Sequence, residues 1–69
     1  MKVIFKNYKG KTKVIGKSIK KEETCWNKIN KYIEINNLKF RYYRTWKVDD
    51  KTTVVDFGSH FEFFYIIED

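Results

Sequence analysis

Asp56, His60 and Glu62 are the residues whose types and spacing come nearest to chemistry in this chain. Two carboxylates and an imidazole so close together could hold a divalent ion or relay a proton. The alternative is two surface acids neutralised by Arg41 or Lys47, with the imidazole in a turn. No helical ligand pair, no Gly-rich phosphate loop and no activated nucleophile accompanies the three. The sequence therefore favours the surface reading, and assigns no catalytic residue, no metal and no cofactor. Asp56-Phe57-Gly58 echoes a kinase motif, but a chain of 69 residues lacks the rest of a kinase. Cys25 stands beside Trp26 on an apolar stripe and reads as a buried structural thiol rather than a reactive one.

Charge offers a second kind of chemistry. Fifteen basic residues against nine acidic ones give a net charge of +6. Residues 1–34 hold ten Lys and three Glu, a net of +7. Residues 35–69 hold three Lys, two Arg and six acids, a net of −1. The first half thus suits phosphate or an acidic partner, unless it is simply a solvated surface. Thirteen Lys and only two Arg argue against base-specific readout, because Lys is a point charge and Arg is the bidentate reader.

The elements that must position these groups follow from periodicity. Residues 2–8 and 11–17 are β-rich runs around Lys9-Gly10, predicting a hairpin in which Phe5 faces Val14 and Val3 faces Gly16. Ser18 is a candidate N-cap. Cys25, Trp26, Ile29, Tyr32 and Ile33 form one helical stripe, predicting a helix over 20–35 that ends at Asn36-Asn37. From Leu38 the period becomes two. Leu38, Phe40, Tyr42, Trp46 and Val48 are expected to point inward with Thr53, Val55 and Phe57. Turns are expected at 49–51 and 58–60. Phe61, Phe63, Tyr65 and Ile67 are expected to complete the inner face, and Trp26 and Trp46 to anchor the core. Arg44 interrupts the inward set and is expected to snorkel or to pair with an acid at the sheet edge.

The predicted fold is α+β: ββαβββ, one domain over residues 1–69, with an antiparallel sheet and one helix on one face. Its outer face should then carry Lys39, Arg41, Tyr43, Lys47, Val54, Phe64 and Ile66. These form an apolar patch beside basic side chains, unless the N-terminal hairpin folds over it. Such a patch on a small domain marks a contact surface. Its expected partners are a protein or nucleoprotein complex, a second copy in a homodimer, or nucleic acid. In the nucleic-acid reading Lys2, Lys6, Lys11, Lys13 and Lys17, with Lys39 and Arg41, meet phosphates while aromatic rings stack on bases. A single Cys and the absence of any long apolar run point to a reducing cytoplasm and to no membrane partner.

Residues 42–66 resemble short uncharacterised proteins of phages and prophages in low-GC Gram-positive bacteria. The similarity lies in Tyr43-Arg44-Thr45-Trp46 and in residues 55–60, Val-Asp-Phe-Gly-Ser-His, followed by aromatics. It implies a setting: small phage proteins of this kind bind and redirect host machinery, including defence nucleases. A basic chain is unsuited to mimicking DNA, so the resemblance implies contact with an acidic or nucleic-acid-bearing target.

Overall fold

The computed structural model describes residues Met1–Asp69. Val3 and Phe5 alternate with Lys2, Ile4 and Lys6 in β1 (Lys2–Lys6), which pairs with β2 (Thr12–Gly16). The connecting loop holds Tyr8, Lys9 and Gly10 rather than two residues. Gly10 sits at φ 82° and donates its N–H to the Asn7 carbonyl at 2.9 Å. The Asn7 side chain accepts from Lys9 and Lys11 N–H at 2.9 and 3.0 Å. The extra loop residue sets Ile4 opposite Val14 and Phe5 opposite Lys13, where the sequence suggested Phe5 opposite Val14. A register shift between Val3 and Ile4 still brings Val3 to Gly16, as expected.

Helix α1 (Glu22–Ile35) begins later than the sequence suggests. Ser18 lies in the left-handed region at φ 56°, and Lys21 occupies the N-cap without a side-chain bond. Glu22 and Glu23 fill the first turn, where the helix dipole favours negative charge. Cys25, Ile29 and Ile33 are its buried stripe, as the spacing predicts. Its end is a Schellman arrangement. Leu38 N–H reaches the Ile33 carbonyl at 2.9 Å, Asn37 N–H reaches that of Glu34 at 3.2 Å, and Asn37 takes φ 53°.

Strands β3 (Arg44–Asp49), β4 (Thr52–Asp56) and β5 (Phe63–Ile67) complete an antiparallel sheet of order β2-β1-β5-β4-β3. The hairpin therefore extends the sheet beside β5 and does not fold over it. Under the helix lie Val3, Phe5, Val55, Phe57, Phe64 and Ile66, joined by Cys25, Ile29, Ile33 and Ile19. Phe64 is the hub, with Phe5 and Phe57 rings at 5.1 and 5.3 Å and Tyr32 edge-on at 5.9 Å. Both sheet edges are guarded against further pairing by charge, with Lys13 on β2 and Lys47 on β3, and β3 carries a bulge.

Two strands present the opposite face from the one the sequence suggested. The turn after β3 closes at Asp49 opposite Thr52, which alone would set Trp46 against Val55. A bulge at Val48 intervenes, so Trp46 faces Val54 and Thr45 faces Val55. Trp46 consequently lies on the face away from the helix, 40% exposed, rather than in the core. The β4–β5 loop is longer than three residues, so Val55 pairs with Phe64 and Val54 with Tyr65. That one-residue difference sends Phe64 and Ile66 inward and Phe63, Tyr65 and Ile67 outward. Phe61 stays in the loop, 71% exposed.

Candidate contact face

The sheet face away from the helix is built in rows across the strands. One row is apolar from edge to edge: Val14, Ile4, Tyr65, Val54 and Trp46, one residue from each strand. At about 4.8 Å between strands it runs about 19 Å. The row toward the start of β5 carries Thr12, Lys6 and Phe63, with Asp56 and Arg44 on the other two strands. The row toward its end carries Lys2, Ile67, Thr52 and Asp49. Trp46 and Phe63 meet edge-to-face with ring centres 6.3 Å apart.

Arg44 ties the rows together. Its Nη2 lies 3.1 Å from Asp56 Oδ2, and its guanidinium sits 5.4 Å from the Trp46 ring centre. Asp56 is the one buried charged residue, and Gly58 N–H donates to its other carboxylate oxygen at 2.9 Å. The expected pairing of Arg44 with an acid at the sheet edge is therefore present. Both Asp56 oxygens are thereby engaged. At the far corner Asp49 accepts Lys51 N–H at 2.8 Å, and that bond holds its carboxyl below the usual range.

The remaining sequence candidates fall elsewhere. Phe64 and Ile66 are core residues, and of the predicted outer apolar patch only Val54 belongs to the open face. Tyr43 turns to the helix side, where its hydroxyl donates to Asn30 and its ring meets Trp26 at 4.9 Å. Burial raises its phenol above the usual value. Lys47 pairs with Thr53 on the helix side and reaches Glu68 at 3.8 Å. Lys39 and Arg41 precede β3 rather than lying in it; only Arg41 N–H bonds across, to the Phe57 carbonyl at 3.0 Å. They border a cleft of about 260 Å³ with His60, Phe61 and Glu62. Lys2 and Lys6 are on the open face, whereas Lys13 lies over the Tyr32 ring and Lys11 and Lys17 flank β2.

Asp56, His60 and Glu62 do not gather into a group that could hold a metal ion. His60 projects from the β4–β5 loop beside Phe61, ring centres 6.2 Å apart. Cys25 is fully buried and unpaired, and burial raises its thiol. Sequence reasoning missed Trp46, Phe63, Tyr65 and Val14 as face residues. Their signal was present in the period-two runs, but its phase depended on the bulge and the loop length. No helix is long and apolar enough to cross a membrane. Comparison with family models, curated proteins and solved structures gives no match for the chain.

Proposed function

We propose that this protein is a non-enzymatic binding protein whose working surface is the open sheet face. The observation that carries this reading is the row Val14, Ile4, Tyr65, Val54 and Trp46. It crosses all five strands, and the helix lies on the other side. Val14 and Trp46 are 53% and 40% exposed, with Ile4 and Tyr65 part-exposed around a buried Val54, and an apolar surface of this kind on so small a domain marks a contact site. Aromatic residues at its centre are the usual anchors of such contacts. Against catalysis stand the engaged Asp56 carboxylate and the loop position of His60. The phage resemblance implies a host protein or nucleoprotein complex as the target, met in a reducing cytoplasm where the lone Cys25 stays free.

Affinity capture from a lysate of a low-GC Gram-positive host tests this reading. Wild-type protein and a Trp46→Ala/Tyr65→Ala variant are compared, with circular dichroism showing that both are folded. Loss of an anchor costs about 2 kcal/mol, which is about thirtyfold in affinity. The variant is expected to lose the partner that wild type retains. Equal retention by both proteins contradicts the proposal.

A further inference from the structure

We infer that the open face is a stacking platform for single-stranded nucleic acid, bound with little sequence preference. This rests on the reading of that face as the contact surface. Three aromatic side chains lie on it: Phe63 and Tyr65 on β5, and Trp46 on β3. Phe63 and Tyr65 are two residues apart on one strand, about 6.8 Å. That is about twice the 3.4 Å spacing of stacked bases along a duplex strand. Consecutive bases of an extended strand can therefore each rest on their own ring, separated from one another. A duplex hides the base faces that such rings need.

The charges fit the same ligand. Lys2 and Lys6 stand on β1 on one side of the rings, and Arg44 stands on β3 on the other. The unpaired cations of this face, Lys2 and Lys6, lie on the β1 side; on the β3 side Arg44 is paired with Asp56 and Asp49 stands at the corner, so a backbone is drawn to the β1 flank. Of the two acids on this face, Asp56 is buried and bonded to Arg44 and to Gly58 N–H, so it presents little charge to a phosphate, and Asp49 lies in the row at the far end of β5. Arg44 sits over the Trp46 ring, so a base at this edge meets a guanidinium stacked on an indole. A face-to-face homodimer would instead oppose two sets of these cations, and a protein partner would have to bring acids around an apolar stripe. The predominance of Lys over Arg, thirteen to two, provides charge without base-edge recognition.

The test is fluorescence anisotropy with a labelled oligothymidylate of about 12 nucleotides, and with a duplex of the same length. Binding of the single strand is expected at about 50 mM salt, with quenching of tryptophan emission. Two phosphate contacts, from Lys2 and Lys6, at about 0.7 each predict a log–log salt slope near −1.4. Trp46→Ala and Phe63→Ala should each weaken binding by about 5- to 150-fold, the range of one stacked base. Trp46→Phe should retain most of the affinity and lose the quenching. No binding at about 50 mM salt overturns the inference. So does equal affinity for the duplex, or affinity unchanged by Trp46→Ala and Phe63→Ala together. Where the strand does not bind, sedimentation at micromolar concentration and capture of a protein partner separate two failures. A dimer or a protein complex lost in Trp46→Ala/Tyr65→Ala overturns the nucleic-acid inference and leaves the contact face standing. If neither depends on those residues, both proposals fall.

Discussion

Phe64 and Tyr65 are adjacent in the chain and occupy opposite faces of the same strand. Phe64 is fully buried among Phe5, Phe57 and Tyr32 beneath the helix. Tyr65 stands half-buried between Ile4 and Val54 on a face that nothing covers. Both faces are apolar, yet only one is closed by α1. In this chain, then, apolar character serves two ends: one face supplies cohesion, and the other is available for contact.

The largest expected effect breaks or upholds that distinction. Phe64→Ala should cost about 3–5 kcal/mol, as aromatic truncations in cores do. The total stability of a domain this size is only about 3–10 kcal/mol, so the variant should be largely unfolded or close to it. Tyr65→Ala should cost about 1 kcal/mol, the scale of a cross-strand contact. Urea denaturation of both variants checks this, and equal losses would mean that the two faces are energetically alike.

Next in size is the loop that sets the phase of β5. Gly58 takes φ 95°, and a Cβ there would lie 2.6 Å from Arg41 Cβ. Gly58→Ala should therefore destabilise by about 1–3 kcal/mol, measured by the same denaturation. Gly10→Ala should cost about 1 kcal/mol, because a Cβ at that position meets open space and only the backbone angle is strained. A reversed order would mean that the 57–62 loop is not the constraint on β5.

What the sequence makes legible follows the same division. The helical stripe of Cys25, Ile29 and Ile33 and the Asn36-Asn37 stop can be read directly, because polar Lys and Asn residues separate the apolar positions. Period two is equally visible from Leu38 onward, although residues 38–43 form no strand and Phe40 and Tyr42, expected inward, are 48% and 50% exposed. The phase of the repeat is not visible. In Phe61-Glu62-Phe63-Phe64-Tyr65-Ile66-Ile67 both interleaved sets are apolar, so a slip of one residue changes no pattern. In β3 the phase is inverted by a bulge at Val48, which has no residue signature of its own. The existence of an apolar outer face was thus readable, while its membership was set by backbone geometry near two turns.

A smaller effect separates charge from packing on the open face. Asp56→Asn keeps an acceptor for Gly58 N–H and removes the charge beside Arg44. Arg44 is two-thirds exposed, so water screens the pair and the stability loss should stay under about 1 kcal/mol. Single-strand affinity should rise, because Arg44 is freed for phosphate, and the salt slope should steepen by up to about 0.7. A fall in affinity would mean that Asp56 holds Arg44 where binding needs it.

The smallest effect concerns the covered face. Burial raises the Cys25 thiol above the unfolded value of about 8.5. The unfolded chain therefore releases this proton at lower pH than the folded one. The contribution of Cys25 to stability is full below about pH 8.5 and is lost as pH rises toward the folded value. Melting curves between about pH 7 and pH 9.5 should show this loss in wild type, and Cys25→Ala should lack that component. A disulfide reagent at about pH 8 should react slowly with the native protein and quickly in urea. Rapid native reaction would mean that the helix does not seal its face.

The two tryptophans report on the two faces separately. Trp26 meets Tyr43 on the helix side, and Trp46 meets Phe63 and Arg44 on the open side. Each indole N–H gives its own cross-peak in a nitrogen–proton correlation spectrum of labelled protein. Titration with oligothymidylate should move the Trp46 peak progressively and leave the Trp26 peak in place. A shift of Trp26 alone, or no shift of Trp46 at saturating oligonucleotide, would contradict the assignment of the open face as the contact surface for single-stranded nucleic acid.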